Sequence, residues 1–225
     1  MTLGKFIVID GTDGSGKATQ AKILVERLAQ AGRTVMEISF PQYGKPSAGL
    51  ISQYLNGDFG SAEAVGPYRA SIFYACDRYD GSKAIKQALA EGKIVIADRY
   101  VLSNMAHQGG KIADDQERQL FFDWLDNLEF SIFQIPRPDL NLILHVAPNI
   151  GQQLVDAKDK RDYLKEGKRD IHEADLNHLL MAEKVYLDLA RTIPNTKLIE
   201  CVADNKIMGR EAIAELVWQE VNKII

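Results

Sequence analysis

The chain has 225 residues, 46% of them hydrophobic and 26% charged, and a formal net charge of -4, a composition that excludes disordered, fibrous and membrane-embedded classes. The mild acidity argues against a broad nucleic-acid surface, which needs an excess of Lys and Arg to neutralise phosphates. Cys76 and Cys201 have no metal-type spacing and read as two reduced thiols. With no repeat or Pro/Gly/Ser-rich linker, residues 1–225 are expected to form one domain. The opening run is too short for a signal segment or membrane span, so the expected compartment is the cytoplasm, with no membrane association.

The first strand is expected over Lys5 to Asp10, built on the apolar run Phe6-Ile7-Val8-Ile9. It leads directly into Gly11-Thr12-Asp13-Gly14-Ser15-Gly16-Lys17, and a helical pattern follows from Lys17 to Ala31, closed by Gly32. Strand, glycine loop and helix in that order are what the Walker A pattern requires. The glycines let backbone N–H groups point inward around a β-phosphate, the helix N-terminus adds positive potential, and Lys17 reaches the β- and γ-oxygens of ATP. Gly11, Thr12, Asp13, Gly14, Ser15, Gly16, Lys17, Ala18 and Thr19 are therefore the expected nucleotide-binding set. The pattern ordinarily ends in a Ser or Thr that ligates Mg²⁺, but position 18 is Ala and Thr follows at 19. Either carboxylates hold the metal, with water in the missing place, or Thr19 substitutes by a small shift.

Further strands are expected over Thr34 to Phe40, Ile94 to Asp98, Leu140 to Val146 and Lys197 to Val202. Helical patterns lie between and after them, at Ser61 to Arg78, Gln116 to Phe130, Ala174 to Arg191 and Arg210 to Lys223. The alternation predicts an α/β fold, a five-stranded parallel sheet flanked by helices. Lys158 to Asp175 is the exception. It carries Lys158, Lys160, Arg161, Lys165, Lys168 and Arg169 among acids with little apolar content, and reads as a surface segment. The third strand delivers Asp98-Arg99-Tyr100 at its C-terminal end, the edge where open α/β sheets bind ligands. Asp98 is placed like a Walker B acid, and Arg99 can grip a phosphate with two N–H donors.

The stretch Asp98-Arg99-Tyr100-Val101-Leu102-Ser103-Asn104-Met105-Ala106-His107-Gln108-Gly109 resembles the signature of thymidylate kinases, DRY-x-x-S-x-x-A-[aromatic]-x-G. Matches extend along nearly the whole chain, through Phe40-Pro41-x-Tyr43, Tyr54-Leu55-Asn56-Gly57, Tyr74-Ala75-Cys76-Asp77-Arg78, Pro136-x-Pro138-Asp139 and Asp170-x-x-Glu173. The resemblance implies a P-loop kinase that moves the γ-phosphoryl group of Mg-ATP onto dTMP. It implies that Tyr74 stacks on the thymine ring while Arg78 hydrogen-bonds the base, with Asn104 at the pyrimidine edge and Gln108 beside it. Asp13 is implied at the acceptor sugar and the metal, and Arg99 between donor and acceptor phosphates. Residues about 157–173 match the family lid, whose Arg161 and Arg169 are the implied extra catalytic cations. A homodimer is also implied, with Ala70, Ser71, Ile72 and Phe73 on its face.

Three positions depart from the family pattern. Ala18 bears on metal ligation. Near Phe40-Pro41 many relatives carry an arginine for the acceptor phosphate, where Ser39 and Gln42 stand here, leaving Tyr43 and Lys45 as substitutes. His107 replaces the Phe or Tyr that crowds the sugar 2′ position. These departures keep open a kinase of the same fold acting on dUMP or a modified pyrimidine nucleotide. From another class, a non-catalytic nucleotide-binding regulator is the alternative, though such a module has no use for Tyr74, Arg78 and the DRY segment.

Overall fold

The computed structural model describes residues 4–12, 14–147, 150–151, 176–204 and 206–225. Asp13, Arg161, Arg169 and the expected lid at 157–173 lie outside the described residues.

Five strands form one parallel sheet: β1 (Lys5–Gly11), β2 (Val35–Ser39), β3 (Ile94–Asp98), β4 (Leu140–His145) and β5 (Thr196–Glu200), in the order β2-β3-β1-β4-β5. The expected sheet is present, and its central strand β1 is buried along nearly its whole length because helices cover both faces. One face packs Phe6, Val8, Val95, Ala97 and Ile143 against α3 (Ala62–Ala90), α4 (Val101–Gly109), α5 (Asp115–Asp126) and α6 (Leu176–Thr192). The other packs Ile7, Ile9, Ile96, Leu142 and Leu144 against α1 (Lys17–Gln30) and α7 (Arg210–Val221). Strand residues alternate between the two cores as the pleat requires.

Several boundaries differ from the sequence reading. The strand expected to run to Val202 ends at Glu200, and Val202–Ala203 (β6) pairs instead with Lys206–Ile207 (β7) in a small antiparallel ribbon. The helix expected to stop at Arg78 continues to Ala90, with its break earlier, at Gly66–Pro67, where proline lacks the N–H that would continue the ladder. A short helix α2 (Gly49–Leu55), preceded by a 3₁₀ turn at Pro46–Ala48, and the nine-residue α4 were not among the helices read from sequence. After α5 the chain widens into a π-helical turn, Asn127–Ile132. Of the four residues assigned to a dimer face, Ala70 and Ser71 are buried within the chain, and only Ile72 is largely exposed.

Candidate active site

The C-terminal ends of β1 and β3 lie side by side, with Ile9 opposite Asp98, and the phosphate-loop residues, Asp10, Asp98 and Arg99 gather there. Gly11 ends β1 with φ 145°, and a Cβ added to it would lie 2.2 Å from the carbonyl oxygen of Leu144. The loop can therefore leave the sheet at this point only as glycine. Thr12 anchors it, its hydroxyl donating to the carbonyl of Val146 at 2.7 Å. The loop then rises through Gly14, Ser15 and Gly16 into α1. Lys17 sits at the first turn with its side chain folded back, Nζ donating to the carbonyls of Gly11 (3.1 Å) and Thr12 (2.8 Å). Ala18 is exposed and Thr19 partly exposed.

Asp10, which the sequence reading treated only as a strand boundary, is the centre of this cluster. It is wholly buried, and neither carboxylate oxygen has a hydrogen bond of full geometry among the described residues, although the Tyr100 backbone N–H lies close enough to favour its charged form. Burial pushes its pKa from 3.8 up to about 6, with the Asp98 carboxylate adding to the rise and Arg99 and Lys17 opposing it. Asp98 also carries a buried oxygen, Oδ1, without a partner. Two hard oxygen donors so placed, beside a phosphate loop, fit a Mg²⁺ ion that keeps several waters and phosphate oxygens in its shell. Among the described residues no group of three or more His, Cys, Asp or Glu is placed to hold a metal ion.

Arg99 follows with φ 66°, left-handed backbone that is costly for a residue with a Cβ, while its N–H donates to the carbonyl of Ile9 at 2.9 Å. This turn aims the side chain along α4. Its Nη1 donates to Ser103 Oγ (2.9 Å), which also accepts from the Tyr186 hydroxyl (3.1 Å) on α6. Nη1 also approaches His107 Nε2 (3.4 Å), and His107 Nδ1 lies 3.3 Å from His178 Nε2. A guanidinium has donors only, so the Arg99 contact favours an acceptor at His107 Nε2. His107 thus helps hold Arg99, and Ser103 and His178 are contacts that sequence reasoning did not single out.

The other half of the site is built on α3. Tyr74 and Arg78 are one helical turn apart and so share a face. Tyr74 packs edge-on against Tyr54 at 6.4 Å. Arg78 is 2% exposed and donates from Nε (2.9 Å) and Nη2 to Oε1 of Glu129, a fully buried carboxylate in the π-helical turn. Asn104 lies against Ser71 at 3.4 Å. Gln108 is buried and accepts from Lys111 Nζ (2.7 Å), which also donates to the Tyr54 hydroxyl. Burial lowers the Lys111 pKa to about 7.

Gln42, standing near the position of the missing arginine, is buried and spoken for. Its backbone N–H donates to Asp77 Oδ2 (2.8 Å), its Nε2 to the Asp77 carbonyl (3.0 Å), and its Oε1 accepts from Lys45 Nζ (2.5 Å). Lys45 is therefore the cation that the structure presents beside this loop, with Tyr43 exposed next to it.

A sequence model of the family described as "Thymidylate kinase" matches residues 9–207. The thymidylate kinase of Mycobacterium tuberculosis is 31% identical over 186 residues, 82% of this chain and 85% of the relative. A probable thymidylate kinase of Pyrococcus abyssi is 35% identical over 147 residues, 63% and 64% of the two chains. Among solved structures, the thymidylate kinase of Candida albicans superposes with a TM-score of 0.73 at 23% identity, over 98% of this chain and 93% of that one, a likeness of fold.

Proposed function

The chain belongs to the thymidylate kinase family, and we infer that it transfers the γ-phosphoryl group of ATP to dTMP, giving ADP and dTDP for dTTP synthesis. The observation that carries this reading is the meeting of Lys17, Asp10, Asp98 and Arg99 at the ends of β1 and β3.

In this reading the thymine ring stacks on Tyr74, with Arg78 and Asn104 at its edge and Gln108 behind. Arg99, held by Ser103 and His107, lies between the two phosphate groups. An oxygen of the dTMP phosphate attacks the γ-phosphorus while the bond to the β-γ bridging oxygen breaks, and the electron pair leaves on ADP. Lys17 exchanges its two loop carbonyls for β- and γ-oxygens, so its charge is already at the place where negative charge moves. Asp98 and Asp10 would hold Mg²⁺, together with Asp13, and the ion would neutralise the phosphate oxygens. Arg161 and Arg169 are proposed to supply further positive charge from the lid. Positioning and charge neutralisation carry most of the rate, and no general base is needed for a phosphate nucleophile.

We further propose a single-domain cytoplasmic enzyme acting on small nucleotides, not nucleic acid, and working as a homodimer. Among the described residues no helix is long and apolar enough to cross a membrane. The assay that tests the function offers Mg-ATP with dTMP, dUMP, UMP, dCMP and GMP in parallel, reads ADP release, and identifies the diphosphate product directly. Preferred turnover of dTMP supports the reading. Turnover with dUMP alone moves the specificity to the pocket around His107, and none with any acceptor overturns it.

A further inference from the structure

The buried pair Arg78–Glu129 is an expensive feature to find in a core. Arg78 is 2% exposed and Glu129 fully buried, and Glu129 Oε2 has no hydrogen-bond donor among the described residues. Two apolar side chains of similar volume would fill the same space at no desolvation cost. What the pair supplies, and an apolar pair cannot, is orientation. The carboxylate accepts from Nε and from Nη2 through one oxygen, Oε1, which takes up one side of the planar guanidinium. Arg78 has five N–H donors in a fixed fork. With that edge committed, three N–H groups remain, at the end of the fork and on the Nη1 side, and no protein acceptor for Nη1 is found among the described residues. Glu129 comes from a π-helical turn, Asn127–Ile132, on a different element from α3, so the arginine is fixed from outside its own helix. π-helical turns are uncommon, and they concentrate at functional sites.

We propose that Glu129 is a positioning residue for acceptor recognition: it locks the Arg78 guanidinium so that a donor-only edge meets the base, and thereby selects a pyrimidine with a carbonyl oxygen at position 4 over one with an amino group there. This rests on the reading of Arg78 as the base-binding arginine. Thymine and uracil present an acceptor at that position. Cytosine presents N–H donors, which oppose the N–H donors of the arginine and leave both sets unpaired on burial. A site built to hydrogen-bond one group rejects the analogue lacking it far more strongly than an apolar pocket rejects a wrong shape. A loosely held arginine would swing aside and forfeit that rejection. Asn104 cannot supply the same selection, because a side-chain amide carries both donors and an acceptor and satisfies either base by turning over.

The experiment compares wild type with Glu129→Asp, Glu129→Ala, Arg78→Met and Arg78→Met/Glu129→Ala, measuring kcat and KM for dTMP, dCMP and ATP. Glu129→Asp keeps the charge but draws the carboxylate back by one methylene, so the variant folds with the arginine displaced. The expected result is a rise of about tenfold in the dTMP KM for Glu129→Asp and about 10- to 100-fold for Glu129→Ala. The dTMP-over-dCMP ratio of kcat/KM should fall by about tenfold in both. The ATP KM should stay within about twofold, and the double variant should be no worse than Arg78→Met, as expected when one residue acts through the other. An unchanged dTMP KM and an unchanged ratio in Glu129→Asp would overturn the proposal, even if the variant melts earlier, because a purely structural pair moves stability and not discrimination. If Glu129→Ala is insoluble, Glu129→Asp decides alone. Failure of the underlying reading looks different: Arg78→Met would then bind dTMP as wild type does.

Discussion

The buried carboxylate of Asp10 makes a quantitative prediction about stability. Its pKa stands at about 6 in the fold against an ordinary 3.8, chiefly because burial penalises the charged form. At about 1.4 kcal/mol per pH unit the shift is worth about 3 kcal/mol. Its sign follows from proton counting. Between the two pKa values the folded chain keeps a proton that the unfolded chain has released, so stability falls as pH rises through this window and levels off above it. Asp10→Asn removes the titration while keeping the shape. About 1 kcal/mol of the penalty is already present at pH 4.5, which leaves about 2 kcal/mol to be read between pH 4.5 and 8. Urea unfolding followed by the fluorescence of Trp124 and Trp218 at both pH values gives the difference in stability between the two proteins. That difference should shift by about 2 kcal/mol in favour of the variant on going to pH 8, while turnover at pH 8 drops. The comparison cancels any fixed cost of the new amide and the titrating groups remote from Asp10. Curves that stay parallel from pH 4.5 to 8 would show that Asp10 ionises normally, and the account of the site as a reservoir of unmet charge would fail.

The two cations of the transfer site give a second prediction. Lys17→Met and Arg99→Ala should each lower kcat by about 100-fold or more with an unchanged circular dichroism spectrum, and normal turnover in either purified variant removes that residue from the mechanism. Gly81→Ala tests the loop that carries Gln42 and Lys45. The added methyl would lie 2.8 Å from the Phe40 ring and 3.2 Å from Gln42 Nε2, so about 1–3 kcal/mol of stability should be lost in urea unfolding. The KM for dTMP should rise more than the KM for ATP, and equal changes in both would refute the assignment of this loop to the acceptor side.

What the sequence made legible, and what it hid, divides along a physical line. The three inner strands β1, β3 and β4 could be read because each is a largely apolar run buried on both faces, whereas the edge strands β2 and β5 are partly exposed and carry Glu37 and Lys197. The phosphate loop could be read because its glycines stand in a fixed order between a strand and a helix. Periodicity carried no sign of the π-helical turn. Glu129 falls inside a pattern read as one helix to Phe130, where an acid near a helix end looks like a solvated residue. Only the tertiary placement of Arg78 makes it a buried partner. Asp10 was hidden by its position as the last residue of an apolar run, where an acid reads as punctuation. The signal available was that it precedes a phosphate loop by one residue, at the sheet edge where ligands bind. Ser103 stands in the motif with no task legible from sequence, and its contact with Arg99 requires knowing that Arg99 takes a left-handed turn. Asp13, Arg161 and Arg169, read from the same family resemblance, lie outside the described residues and gain nothing from the fold.

The distribution of unmet polar atoms adds a final step. Well-packed proteins satisfy nearly all their buried polar groups, yet among the described residues Asp10 Oδ1 and Oδ2, Ser15 Oγ and Asp98 Oδ1 are buried without partners at the loop and the strand ends beside it, with Gln20 Oε1 on α1 and Glu129 Oε2 in the π-helical turn as the others. Each atom at the loop and strand ends is an acceptor, or in Ser15 a donor as well, and each would be costly in a site with no ligand. The folding of the β-sheet forces them together, since the strand register sets Ile9 opposite Asp98 and the loop leaves directly after Asp10. Unmet acceptors therefore collect where a ligand can satisfy them, and binding of a phosphate-bearing ligand with its cation should stabilise this chain. The same reasoning separates the two halves of the site. At the phosphate end the groups wait for a ligand to satisfy them, whereas at the base end Arg78 is already satisfied on one side by Glu129. On the proposed reading, charge is held in reserve at the phosphate loop, and geometry is fixed in advance at the face assigned to the acceptor base.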